Sequence, residues 1–219
     1  TYLTGNSAGF TGTLEISGTG NNKLNASGLT ISPSALIKIN SGGQLFTSAN
    51  LANAIQAVGT GNGENRGAIR LSGGNLSGPI TLLGNTTIGT EGGTVSGPIS
   101  SGVSGAQTLT LGTGSSGGSP TFSGAISDGA GTLALRVSPA AGGQIILSGA
   151  NSYSGGTTIA SGRVQAANAS SFGSGRVTVS GNGQAFLSAS SATYANDFTI
   201  SGNGWSEGAG QLGAIRFAN

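Results

Sequence analysis

Val177-Thr178-Val179-Ser180-Gly181 alternates apolar and polar side chains and then breaks at Ser-Gly. The same pattern stands at Phe198-Thr199-Ile200-Ser201-Gly202, Ile69-Arg70-Leu71-Ser72-Gly73 and Leu14-Glu15-Ile16-Ser17-Gly18. A period of two marks a strand with one buried face. The trailing Gly supplies the positive φ with which a chain turns. A second pattern runs apolar, Ser or Thr, Gly, any residue, then usually apolar. It reads Leu76-Ser77-Gly78-Pro79-Ile80, Val95-Ser96-Gly97-Pro98-Ile99 and Phe122-Ser123-Gly124-Ala125-Ile126, with related forms at Phe10-Thr11-Gly12-Thr13-Leu14 and Tyr153-Ser154-Gly155-Gly156-Thr157. From Leu76 through Val95 and Phe122 to Tyr153, successive starts recur irregularly, at intervals near the size of one solenoid turn.

The composition agrees with many short strands and tight turns. Of 219 residues, 44 are Gly, and with 32 Ser, 23 Thr and 17 Asn they make more than half the chain. These types are poor helix formers, while the apolar 35 % sits in short Val/Ile/Leu/Phe runs that disordered chains lack. Asn50 to Val58 has a helix-like composition, but its counterpart Thr193 to Ile200 reads as loop plus strand, and we read both so. Gly112 to Gly118 reads as loop, with no Gly-Lys-Ser/Thr to make a phosphate site. Pro79, Pro98 and Pro120 fall in or after Gly/Ser turns, where a missing N–H breaks no ladder.

Longer matches enclose these patterns. Leu3 to Gly12 parallels Leu147 to Gly156, Ile37 to Gln44 parallels Val177 to Gln184, and Gly67-Ala68-Ile69-Arg70-Leu71 parallels Gly213-Ala214-Ile215-Arg216-Phe217. Residues 3–71 and 147–217 read as two copies of one unit, with rungs 72–146 between them, all within one β-helix segment over 1–219. Recurring motifs, turn residues at the corners and only 5 % aromatics favour a narrow solenoid over a sandwich. At about 20–25 residues per rung this predicts an all-β parallel β-helix of about nine to eleven rungs. The right-handed preference of parallel crossovers points to a right-handed coil. Thr1 begins in mid-pattern and Asn219 follows a strand-like run, with no capping signature at either, as expected of a piece of a longer rod.

Ile145-Ile146-Leu147-Ser148-Gly149-Ala150-Asn151-Ser152-Tyr153-Ser154-Gly155-Gly156-Thr157-Thr158-Ile159 is similar to the repeat of bacterial autotransporter passenger domains. The pattern L-S-G-x-N-x-Y-x-G-x-T-x-I is matched at Leu147, Ser148, Gly149, Asn151, Tyr153, Gly155, Thr157 and Ile159. The N-terminal copy is weaker, with Phe10 in place of Tyr. The resemblance implies a right-handed parallel β-helix that is secreted across the outer membrane and displayed on the bacterial cell surface. The membrane barrel that such proteins carry at their C-terminus has no counterpart in these 219 residues.

Little reactive chemistry is available. The chain has no Cys and no His, which excludes disulfides, Cys/His metal centres and His-based catalysis. The eight Lys and Arg form no cluster in sequence and the net charge is +2, against nucleic-acid binding. No apolar run is long enough for a membrane helix. Two Asp are too few for calcium-binding nonapeptide repeats. The acids are Glu15, Glu64, Glu91, Asp128, Asp197 and Glu207. Stacked rungs could pair two of them, as polysaccharide-processing β-helix enzymes require, but solvated charges are the simpler reading. Glu64 near Arg66 and Glu207 before Arg216 suggest a structural ion pair beside the Gly-Ala-Ile-Arg strand. Among Tyr2, Tyr153, Tyr194 and Trp205, Tyr153 and Phe10 share a repeat position suited to packing. Trp205, in a glycine-rich loop, is the candidate exposed contact. The sequons at Asn25, Asn75, Asn85 and Asn168 are expected by chance in this composition.

These readings predict a structural and adhesive surface protein, not an enzyme, with no cofactor or metal. Glycans or proteins of host or neighbouring cells are the expected partners, with self-association possible through an exposed Asn/Ser/Thr ladder. The rivals are a polysaccharide-processing enzyme and a self-associating filament or biofilm module.

Overall fold

The computed structural model describes residues 2–18, 22–113, 118–139, 143–208 and 210–218. Thr1, Asn219 and part of the Gly112–Gly118 stretch lie outside the described residues, and for Tyr2 only the backbone is described. The described residues are all-β with no helix; parallel strands stack into a solenoid of about eight turns. Asn50–Val58 is extended, with a strand at Ile55–Gly59.

The turns are built on three sides, and the first side carries strands only as far as Ile126. On the first side Leu14, Ile37, Ile55, Ile80, Ile99 and Ile126 are in register. On the second, Leu24, Leu45, Ile69, Ile88, Leu111, Val137, Ile159, Val179 and Ile200 form one column. On the third, Leu51, Leu76, Val95, Phe122, Leu147, Ala166, Leu187 and Phe217 do the same. From Leu45 to Val179 every member of the second column is buried, and the residues that follow them, Gly89 excepted, are at least partly exposed. Burial of these stacked aliphatic side chains is the main stabilising term. The columns end at Ile200, 49 % exposed, and Phe217, 68 % exposed.

Eight steps carry the second column from Leu24 to Ile200, so the expected nine to eleven rungs are corrected to about eight. The steps average 22 residues, within the range expected from sequence, and the remaining residues lie before Leu24 and after Ile200. The step from Leu187 to Phe217 is the longest on the third side, because an antiparallel hairpin, Ser206–Glu207 with Gly210–Gln211, projects between them.

The Ser-Gly corners explain the second sequence pattern. Ser77, Ser96, Ser123 and Ser148 each donate a backbone hydrogen bond to the third-side carbonyl one turn earlier, at Leu51, Leu76, Val95 and Phe122. A Cβ on Gly97, Gly124 or Gly149 would collide with the carbonyl of Gly78, Gly97 or Gly124 below it. These glycines are stacked in van der Waals contact, and only a hydrogen fits. The register corrects one assignment: the member stacked after Phe122 is Leu147-Ser148-Gly149, and not Tyr153-Ser154-Gly155.

Matched stretches of the two sequence copies occupy different sides. Ile37 lies on the first side and its counterpart Val177 on the second. Ile69 lies on the second and Ile215 on the third.

Candidate functional site

Every residue of the L-S-G-x-N-x-Y-x-G-x-T-x-I stretch that can be traced to a contact has a structural task. Leu147 and Ile159 belong to the third and second columns. Asn151 is buried and spans three turns: its Oδ1 accepts from Ile126 N at 2.9 Å and its Nδ2 donates to Ser171 O at 2.7 Å. Asn53 and Asn196 do similar work, donating to Ser32 and Ala35 carbonyls and to Gly173 and Gly175 carbonyls. Tyr153 is wholly buried, and its hydroxyl meets Thr157 Oγ1 at 2.6 Å. Thr157 in turn donates to Phe172 O at 3.1 Å. Burial pushes the Tyr153 phenol far above its ordinary range, against the opposing hydrogen bond with Thr157. Tyr153 is therefore core. Phe10, expected to pack similarly, is 41 % exposed instead. The resemblance of the two copies does not extend to that environment.

Charges are organised as staples around two phenylalanines. Arg70 lies 4.8 Å from the Phe46 ring centroid and Lys23 5.7 Å, with Glu64 bonded to both cations at 2.9 and 2.8 Å. In the matched stretch, Arg163 and Arg216 lie 4.8 and 5.1 Å from Phe186, and Glu207 bridges them. Gln44 and Gln184, both buried, donate to Gly67 O and Gly213 O respectively. Glu64 thus pairs with Arg70 and Lys23 rather than Arg66, which bonds Glu91 at 2.9 Å. Glu91 also reaches Arg70 at 2.5 Å, so Glu64 and Glu91 converge on one guanidinium. The hydrogen bond from Lys23 holds the Glu64 carboxyl below its usual range, against desolvation.

The other acids stand apart. Glu15 is held low by hydrogen bonds from Asn40 and then Lys38. Burial alone would raise Asp128, but Leu133 N, Ser154 N and Ser154 Oγ donate to it at 2.8, 3.0 and 2.8 Å and together lower it. Asp197 is exposed. The four sequon asparagines use their side-chain oxygens as acceptors, from Ser27 N, Ser96 Oγ, Thr108 N and Ser170 N.

Trp205 is partly buried rather than free in a loop. Arg163 lies 5.1 Å from its ring. With Pro139, Ser161, Asn182, Ser206 and Gln211 it lines a cleft of about 370 Å³ at the foot of the hairpin. An aromatic plate ringed by amides and hydroxyls suits an amphipathic ligand such as a sugar. Tyr194 is engaged elsewhere, donating to Ala166 O at 2.7 Å.

A feature that periodicity alone concealed is a row on the second side. Thr87, Thr110, Arg136, Thr158, Thr178 and Thr199 are in register on six successive turns, each just before an inward column residue. Their spacing is that of parallel strands, about 4.8 Å.

Comparison with known proteins bears on the stretch that contains Asn151 and Tyr153. Residues 142–166 match the family model of the passenger-associated-transport-repeat, a repeat found in autotransporter passenger domains. No curated protein and no solved structure matches the chain significantly.

Proposed function

We propose that this chain, which carries a passenger-associated transport repeat, is a stalk segment of an autotransporter-like passenger on the bacterial cell surface and serves adhesion or aggregation. The observation that carries the reading is the unbroken second-side column from Leu24 to Ile200, with the matched repeat inside it. A ladder of backbone hydrogen bonds along three sides makes a stiff rod, and a rod holds a binding surface at a distance. The repeat's family implies a secreted or surface-exposed protein. Partners are glycans or proteins of host or neighbouring cells. An epitope inserted in the chromosomal gene at the exposed Ser104–Gly105 turn tests the location. Antibody should reach it on intact cells; labelling only after permeabilisation rejects the reading.

The role is structural rather than enzymatic. Glu64 and Glu91 resemble a catalytic carboxylate pair only in their proximity, since each is neutralised by cations. Release of reducing ends from a polysaccharide, abolished by Glu64→Gln or Glu91→Gln, would overturn this. A second reading, self-association along the sides, is favoured by the run Thr158, Thr178 and Thr199 on successive turns. Sedimentation should then show dimers that Thr178→Lys dissolves; monomer alone at high concentration rejects it.

A further inference from the structure

Lys23, Arg66 and Arg70 form one network with two acids, Glu64 and Glu91, on the second side, and Arg136 stands on a later turn of that side without an acid beside it in the cleft. A cleft of about 300 Å³ runs there across four turns. Its floor is the threonine row at Thr87 and Thr110, with Gly89 and Gly112 beside it; Asn65 and Arg66 stand at one end and Arg136 at the other. No acid is among the described residues that line it. We propose that this cleft binds an acidic polysaccharide laid along the solenoid axis, with carboxylate or sulfate groups on Arg66 and Arg136 and sugar hydroxyls on the threonines.

The wall that carries Arg66 is built in advance. Gly67 N donates to Thr60 O and Asn65 N to Asn62 O, both at 3.0 Å. Asn65 adopts φ 52°, in the left-handed region that residues other than glycine rarely enter. A Cβ on Gly89 would strike the Arg66 carbonyl, so the loop rests directly on the strand. Glu91 orients the Arg66 guanidinium at 2.9 Å. The Arg136 side chain, by contrast, is exposed and makes no hydrogen bond or ion pair among the described residues. It stands between Thr110 and Thr158, neutral and shorter, where it interrupts an otherwise uniform row.

The geometry selects the ligand class. Arg66 and Arg136 sit three strand spacings apart, roughly 14 Å along the axis, which suits two charged groups on one chain. A hydroxyl on successive turns favours a ligand that is itself repetitive and hydroxylated. No aromatic side chain is among the described residues lining the cleft, so nucleobases find no stacking platform.

The inference deepens the adhesive reading and rests on it, but is tested apart from it, on the purified 219-residue chain rather than on cells. Binding of a uronic-acid hexasaccharide, a sulfated hexasaccharide, a neutral hexasaccharide and inorganic sulfate is measured by calorimetry. One or both acidic oligosaccharides should bind, with affinity falling as salt rises, and the neutral one should not. Arg136→Ala should weaken binding about tenfold or more, Arg136→Lys should restore part of it, and Thr110→Val should weaken it a few-fold. Lys38→Ala, an equal charge loss on the first side, should leave it unchanged. No binding of either acidic oligosaccharide overturns the proposal. So does equal loss in the Lys38 and Arg136 variants, or inorganic sulfate binding as tightly as the oligosaccharides. Melting temperatures near that of the wild type confirm that the variants are folded.

Discussion

Asn151 shows what one amide can do in a coil of small residues. It closes the backbone of Ile126 on one side and of Ser171 on the other, groups that no strand ladder reaches at the corner. Asn151→Ala leaves a buried N–H and a buried carbonyl without partners, at a cost on the order of 3 kcal/mol. A denaturation midpoint unchanged from the wild type would refute this role. Asp128 predicts a pH effect. Its folded carboxyl is held below the usual range, so its contribution is present above the ordinary aspartate pKa and is lost as pH falls through the lowered value. Asp128→Asn should therefore be less stable by about 1 kcal/mol at neutral pH. The gap should close as the pH is lowered from about 5 to about 2. A gap independent of pH contradicts the assignment.

At the scale of elements, glycine does two separate jobs. At Gly18, after the strand Thr13–Ile16, and at Gly73, inside the strand Ile69–Leu76, it supplies φ values of 135° and 146°. At Gly97, Gly124 and Gly89 it lets one backbone rest on another, which the recurring Ser-Gly pattern marks at the first two and nothing local marks at Gly89. Gly89→Ala should lift the 60–67 loop from its strand. Hydrogen exchange at the Gly67 amide, bonded to Thr60, should then accelerate while the columns stay protected. Unaltered exchange there means that the close approach is not what seats the loop. The charged staples show the same dependence on the next turn. Arg66 and Glu64 are near neighbours in sequence, yet they bond to different partners, because the adjacent turn offers Glu91 to Arg66 while Glu64 turns to Arg70 and Lys23.

Across the whole molecule, stability is distributed along the columns. Leu111 is buried with neighbours above and below, and Leu111→Ala should cost about 2–5 kcal/mol. Ile200, the last and half-exposed member, should cost less than about 1 kcal/mol when truncated. Equal losses at the two sites, measured by chemical denaturation, would argue against a column whose members are secured from both sides.

Alternation, Ser-Gly corners and motifs recurring at about the length of a solenoid turn were enough by themselves to define inward-facing strands, turns and a coil, because period-two burial and glycine sterics are local. The passenger-repeat resemblance was equally legible, in eight positions at fixed spacing. Tertiary structure decided what depends on stacking between distant turns. It distributed equivalent stretches among different sides, since each side asks only for an apolar alternating strand. It buried Tyr153 and exposed Phe10, although they share a repeat position, because burial depends on which turns lie above and below. It seated Trp205 on Arg163 under a hairpin and aligned Thr87, Thr110, Arg136, Thr158, Thr178 and Thr199 into one row. Unequal loops make the step from Leu111 to Val137 longer than that from Ile69 to Ile88 along the same side, so only the register of the folded coil brings those six residues together.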